Sequence, residues 1–453
     1  LRQRLAPIRE LRHLLVENAD RLTKAVSADV FRNPNEVLAT DLLPVAAAMQ
    51  WLAKRAEAIL KPRKLGSPPL WLMSCRDTIY HRPHGVVGVI GTWNYPIFLN
   101  AIPIAHALAA GNGVLWKPSE YAPRSASVLH ELFMMAGVPA DLLQLLPATR
   151  EAGPQLAEAD LDFLQFTGSD GVGRKLASRL GERLIPSILE LSGVDACVIL
   201  PDADPILAAK AVWFGTSLNA GQTCLAVRRL FVHESIRQRF LDALRPLAES
   251  GPAVSLVLPS QKQFLEDTIA AHRATGGIAL TRTDESSPGA SYLLDPDRET
   301  AVDRAACFAP ITTVRSFDST DGLMRRLAEH PYGLSCSIFT ADPARAEGLA
   351  PLLRVGSVVI NDVIVATARP ETPFGGRGLS GWGVTQGEEG LLAMTVPQVV
   401  TIRRGMFRPH FDTAATGKDT QAIIRGILEA THSRSWWSRL KAMGRTVVAM
   451  MRS

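Results

Sequence analysis

The sequence predicts an α/β protein built on a doubly wound parallel sheet, and three observations carry that reading. Between residues 84 and 195, short β-branched runs alternate with Ala- and Leu-rich helical stretches at roughly 25-residue spacing. A second alternating region begins near residue 196 and runs to about 385. The chain has 453 residues, of which 47% are hydrophobic and 21% charged, enough to bury two or three cores.

The elements follow in order. Residues 1–60 read as long amphipathic helices, because Leu11, Leu14, Leu15, Leu22 and Val26 recur at helical spacing. Residues 77–91 switch to strand character, with Val86, Val87, Val89 and Ile90 as a β-branched run. A helix over 97–110, a strand over 114–118, a helix over 122–136, a short strand over 142–146 and a helix over 151–158 come next. The run F-L-Q-F-T-G-S then leads into a helix from Arg174 to Leu180. Residues 281–300 are the most loop-like stretch of the interior, and no internal repeat or low-complexity segment appears.

Composition excludes several classes. The longest apolar runs fall short of the eighteen or so residues that span a bilayer. The charged N-terminal stretch lacks the apolar core of a signal peptide. Cysteines 75, 197, 224, 307 and 336 are odd in number and form no C-x-x-C pair. That pattern predicts a reducing, cytoplasmic setting without disulfides, and no metal site is expected. The net charge of +5 is uneven: residues 401–453 hold ten Lys and Arg against three Asp and Glu, leaving residues 1–400 slightly acidic. The basic balance therefore describes the tail, and no nucleic-acid partner is expected.

Five short motifs carry candidate chemistry, and each has a plain structural reading beside it. In 218–229, L-N-A-G-Q-T-C-L-A-V-R-R, Cys224 is either a buried structural thiol or a nucleophile. In 166–173, F-T-G-S-D-G-V-G, the glycines Gly168 and Gly173 with Ser169 form either a tight βα turn or a phosphate cradle at a helix N-terminus. In 114–120, V-L-W-K-P-S-E, Lys117 and Glu120 lie past a strand end, as a solvated ion pair or as a ribose clamp. Asn94, in G-T-W-N-Y-P, is a turn residue or an oxyanion donor. Glu190, set between Leu189 and Leu191, is a salt-bridged structural acid or a general base tuned upward by desolvation.

Taken together and in order, T-W-N-Y-P, K-P-S-E, F-T-G-S-x-x-V-G, E-L-S-G, G-Q-T-C and P-F-G-G-R-G-L-S-G-W-G (373–383) resemble the aldehyde dehydrogenase superfamily from about residue 10 to 408. Glu190 precedes Cys224 by 34 residues and Asn94 precedes Lys117 by 23, intervals similar to those of the family, and the overall spacing looks most like its class 3 branch. The resemblance implies a Rossmann-type NAD(P)-binding domain (1–72 and 84–195), an α/β catalytic domain (196–385) and a small bridging β-segment (73–83 and 393–408) that makes a homodimer. It implies oxidation of a small-molecule aldehyde, medium- to long-chain or aromatic, to the acid through a cysteine thiohemiacetal and thioester. Cys224 would be the nucleophile, its pKa lowered by a nearby helix start. Asn94 would hold the oxyanion and Glu190 would activate water. Gly168, Ser169 and Gly173 would meet the pyrophosphate, Lys117 and Glu120 the adenosine ribose, Trp116 the adenine and Phe308 the nicotinamide end. Glu120 implies NAD, with NADP possible. The alternatives are a CoA-acylating aldehyde dehydrogenase and a catalytically impaired membrane-associated scaffold.

One departure stands out. Residues 306–310 read A-C-F-A-P where the family resembled has Glu-x-Phe-Gly-Pro, so Ala306 lacks the carboxylate that grips the nicotinamide ribose. That loss predicts weak or poorly positioned cofactor. Finally, residues 421–453 read as a basic amphipathic tail after a linker at 412–420. Trp436, Leu440, Met443, Val447 and Met451 share one helical face, with Ser438, Lys441 and Arg445 opposite. The tail either meets a cytoplasmic membrane surface peripherally or docks on protein.

Overall fold

The computed structural model describes residues 1–72, 74–284, 289–296, 298–405 and 418–452. It falls into two compact units, Leu1–Ile59 with Pro83–Val396, and Leu60–Arg82 with Pro397–Ser453.

The large unit opens with helices Arg2–Glu17, Ala19–Val30 and Leu43–Ile59. Their helical-period leucines are the buried ones, including Leu11, Leu15, Leu22 and Val26. A six-stranded sheet follows, in the order Gly381–Trp382, Ser187–Leu191, Phe163–Gly168, Val86–Ile90, Gly113–Lys117, Leu143–Leu145. All neighbours are parallel except Gly381–Trp382, which runs antiparallel to Ser187–Leu191. From Val86–Ile90 the chain winds outward one way, then returns to wind the other. The switch point between Val86–Ile90 and Phe163–Gly168 leaves a crevice at the strands' carboxyl ends.

Helices Phe98–Ala110, Pro123–Met135, Ala152–Glu158 and Asp170–Glu182 connect these strands. The last starts four residues before the expected Arg174, because Ser169 caps it: its hydroxyl accepts the Val172 N–H at 3.4 Å.

The second sheet has seven strands, ordered Ile278–Leu280, Ser291–Leu294, Ile311–Phe317, Val227–His233, Asp195–Ile199, Ser335–Phe339, Ser357–Ile360. Only its first strand is antiparallel. The interior strand Asp195–Ile199 is buried at every position, the mark of a sheet covered on both faces. Ser291–Leu294 corrects the loop reading of 281–300. It is held between Ile278–Leu280, antiparallel, and Ile311–Phe317, parallel, pairings that the Gly-, Pro- and Asp-rich flanks of this short strand masked.

The small unit holds a three-stranded sheet of Arg63–Lys64, Cys75–Pro83 and Thr395–Arg403. Thr395–Arg403 is an edge strand, with Val399 and Ile402 both exposed. Helices Lys418–His432 and Trp436–Arg452 pack on each other, with Ala442 and Thr446 buried and Gly426 set against Thr446. Trp436, Leu440, Met443 and Val447 are left exposed, so the second helix docks through its small residues and not through the apolar stripe. The Met451 side chain, linker residues 412–417, and residues 73 and 406–408 of the expected bridging segment lie outside what is described.

Candidate active site

Cys224 sits in a turn between a short 3-10 segment, Leu218–Gly221, and the strand Val227–His233. Gly221 has φ +71°, and a Cβ there would lie 2.5 Å from the Pro310 nitrogen. Only glycine lets the G-Q-T-C turn press against the A-C-F-A-P loop. Asn219 and Ala220 are also left-handed, at φ 51° and 55°. Side chains hold this conformation. Asn219 Nδ2 donates to the Asn94 carbonyl at 2.8 Å, and Gln222 Nε2 donates to the Asn219 carbonyl at 3.1 Å. The fully buried Arg228 donates to the carbonyls of Gly221 and Ala309, clamping both loops.

Glu190 lies on Ser187–Leu191, paired with Thr167 on one side and Gly381 on the other. It is 3% exposed, and its Oε1 has no hydrogen-bond partner. Burial pushes its carboxyl up to about 7, and the Thr167 hydroxyl, 3.5 Å from Oε2, pulls back only weakly. Glu190, Thr223 and Cys224 line one cavity of about 260 Å³. The rest of its wall is largely apolar, including Phe98, Leu99, Phe214, Leu218, Ile364 and Phe374; Asp362 adds a second carboxylate, and among the described residues no Lys, Arg or His lines it.

The cysteine's electrostatics differ from expectation. Cys224 follows no helix start, and its thiol pKa is raised, first by burial, then by the charges of Glu190 and Asp195. Asn94 is 3% exposed and not part of the cavity wall. Its Nδ2 donates to the Gln222 carbonyl at 3.1 Å, two residues before Cys224, and its Oδ1 accepts from Thr92 at 2.9 Å. One amide hydrogen is thus spent on the turn, leaving the second for any oxyanion.

A buried chain that sequence reading missed supports this wall. Asp41 pairs with Arg32, and both are almost fully buried. Its Oδ1 accepts the N–H groups of Ile97 and Phe98 at 3.2 and 2.7 Å, holding the start of helix Phe98–Ala110. Arg32 lies 4.5 Å from the Tyr95 ring centroid, and the Tyr95 hydroxyl meets Thr223 Oγ1 at 2.6 Å. Residues from four regions converge beside Cys224, and no spacing in the chain announces it.

At the crevice of the first sheet, Lys117 Nζ lies 3.3 Å from Glu120, whose other oxygen accepts from Arg150 Nε at 3.0 Å. Burial opposes ionisation of Glu120, but its own N–H, Arg150 and Lys117 prevail and hold the carboxyl below its usual range. Arg150 was not foreseen. Ser169 is exposed beside Gly168, and at Gly168 and Gly173 a Cβ would strike Phe166 and Leu191 at 2.4 and 2.6 Å. Phe308 packs against Trp93, ring centroids 5.8 Å apart. Trp116 corrects the reading: it is fully buried, so its indole belongs to the core and cannot line an adenine site. Strand alternation past Leu115 turns it inward.

The likenesses to known proteins agree with this fold. The sequence profile of the Aldehyde dehydrogenase family matches residues 1–400. The 4,4'-diapolycopene aldehyde oxidase of Methylomonas sp is 32% identical over 412 residues, 87% of this chain and 76% of that protein. A Mycobacterium tuberculosis relative, to which succinate-semialdehyde dehydrogenase activity with NADP+ is ascribed, is 29% identical over 450 residues, 94% of this chain and 86% of its own. The structure of Mycobacterium tuberculosis aldehyde dehydrogenase complexed with NAD+ superposes with TM-score 0.82 at 28% identity, covering 90% of this chain and 86% of that one. On its profile match, its relatives and its fold, the chain belongs to the aldehyde dehydrogenase family.

Proposed function

We propose that the protein oxidises an apolar aldehyde, medium- to long-chain or aromatic, to the carboxylic acid with NAD, and that it also accepts NADP. One observation carries the reading: Cys224 and Glu190 open on the same cavity, whose remaining wall is mostly apolar and, among the described residues, without a cation. An aldehyde bearing a carboxylate would face Glu190 and Asp362 with no counter-ion. This favours substrates like the one in the name of the Methylomonas relative over the semialdehyde ascribed to the mycobacterial one.

The residues at the crevice fit a dinucleotide. Glu120 is ionised and can accept two ribose hydroxyls, while Arg150 beside it offers a counter-charge to a 2′-phosphate. Gly168, Ser169 and Gly173 stand at the start of helix Asp170–Glu182, where backbone N–H groups suit a pyrophosphate. Phe308 with Trp93 offers an aromatic wall for the nicotinamide end. Bound NAD supplies the hydride acceptor.

The chain's own residues do the rest. Burial keeps the Cys224 thiol protonated at rest; it releases its proton to solvent, the thiolate attacks the carbonyl carbon, and the free Asn94 amide hydrogen and the Cys224 N–H hold the thiohemiacetal oxyanion. Departure of hydride from that carbon leaves a thioester on Cys224. Glu190 takes a proton from water as it attacks the thioester; the carbon–sulfur bond breaks, the acid leaves, and the freed Cys224 sulfur takes the proton back from Glu190. A pKa near 7 suits that task, since the carboxylate is then more basic than an ordinary one yet still about half ionised at neutral pH.

The exposed edge strand Thr395–Arg403 supports pairing with a second copy. The outward Trp436, Trp437, Leu440 and Met443, with Lys441 exposed on the same helix, support peripheral contact with a bilayer surface. No helix among the described residues is long and apolar enough to cross a membrane.

The test is an NADH absorbance assay over a panel of neutral and carboxylate-bearing aldehydes. Cys224→Ala is expected to lose turnover on all of them while binding NAD with unchanged affinity. Turnover surviving in that variant, or a preference for carboxylate-bearing aldehydes in the wild type, overturns the reading.

A further inference from the structure

Away from the candidate active site, a second cavity of about 460 Å³ opens on the second sheet of the large unit. Its wall carries Arg229, Arg304, Arg315 and Arg326 against Glu299, Asp303 and Glu329. The charges are not evenly committed. Asp303 is taken by Arg315, with contacts of 2.6 and 2.9 Å, and by Thr313 at 2.7 Å. Arg304 forms no ion pair among the described residues, and Arg326 lies only 6.0 Å above the Phe231 ring.

Arg229 is the informative member. It is 9% exposed, and Nε donates to the Val194 carbonyl at 3.0 Å. Its two terminal nitrogens have no acceptor among the described residues, although the side chain lines the cavity. Strand alternation explains the split. Arg228 points to the opposite face and spends its guanidinium on backbone carbonyls. Asp195 and Asp303 act on its charge, but neither comes within ion-pair distance of it; the fork itself is open to the cavity, and an oxyanion with two acceptor atoms is the group that completes it.

We propose that this cleft binds a phosphate dianion, free or as the end of a small phosphomonoester, held by Arg229 from below and by Arg304 and Arg326 at the rim. Two accepting oxygens match the fork of Arg229, and two further cations suit a divalent charge better than a single carboxylate. The carboxylates Glu299 and Glu329 leave the lining only one charge positive, so recognition rests on the buried fork and not on bulk attraction.

The experiment is calorimetric titration of the full chain with inorganic phosphate. Saturating NAD fills the dinucleotide site, and sodium chloride holds ionic strength constant. Saturable one-site binding is expected, weakened about tenfold in Arg304→Gln and in Arg326→Gln. Both are exposed positions where substitution leaves the fold intact. Arg229→Gln, checked for native melting, is expected to abolish binding. Binding equal in all variants, phosphate competing with NAD, or no saturable heat beyond the chloride control overturns the proposal.

Discussion

Burial lifts the Glu190 carboxyl from its ordinary 4.5 to about 7, and that has two measurable consequences. The ionised form is the base, so the steady-state rate is expected to rise with pH through about 7. Glu190→Gln should remove that limb and slow turnover by roughly 10²–10⁴-fold, while a single-turnover burst of NADH survives. A burst lost together with turnover would place Glu190 in an earlier step. Stability runs the other way. The folded state holds the proton more tightly than the unfolded chain, so the contribution is full below about 4.5 and is lost as pH rises to about 7. Wild type should therefore lose melting temperature over that window relative to Glu190→Gln. Ala306 makes a second prediction: Ala306→Glu is expected to tighten NAD or raise turnover by about tenfold, on the order of 1.5 kcal/mol. Titration of NAD against both proteins checks it, and no change in either quantity removes the ribose role assigned to this loop. Glu190 was legible as an acid amid leucines, whereas Ala306 stood out only against the Glu-x-Phe-Gly-Pro motif of the family that the sequence resembles. The fate of the Cys224 thiol was not legible, since its surroundings come from Glu190 and Asp195.

Glu190 reaches the cavity only because its strand is held from both sides. The short strand Gly381–Trp382 meets it antiparallel, and at Gly381, φ +98°, a Cβ would lie 1.8 Å from the Leu189 carbonyl oxygen. Gly381→Ala is therefore expected to destabilise by about 2–4 kcal/mol, measured as a lower melting temperature, with a loss of the Glu190-dependent hydrolytic step larger than the loss of the burst. Equal melting temperatures in wild type and variant would mean the strand is not held there. Element order followed from periodicity because helix and strand stamp their repeats on the chain. Element ends moved where a side chain decided them, as Ser169 does for helix Asp170–Glu182. Trp116 went astray for a related reason: the motif named the strand end, and the pleat decided which way the indole turned.

The two helices of the small unit bury Ala442 and Thr446 between them and leave the tryptophans outward. That geometry predicts the behaviour of a truncation. A chain ending at residue 417 is expected to keep aldehyde oxidation yet no longer sediment with vesicles rich in anionic lipid, as the full chain should. Equal sedimentation of both chains would leave the tail without a membrane role. The exposed strand Thr395–Arg403 lies before that truncation, so the shortened chain should retain any pairing between copies, checked by sedimentation velocity.

Chain order by itself determined the doubly wound α/β architecture, since periodic burial is written into neighbouring residues, and its motifs, through the resemblance they carry, singled out Cys224, Glu190 and the departure at Ala306. Only the folded structure decided that Arg32, Asp41, Tyr95 and Thr223 form one buried chain, that Arg150 shares Glu120, and that Trp116 faces inward. Each of those depends on contacts between distant segments or on which side of a strand a group falls. Hydrogen bonding and desolvation act through space, and a linear pattern records the groups without recording what surrounds them.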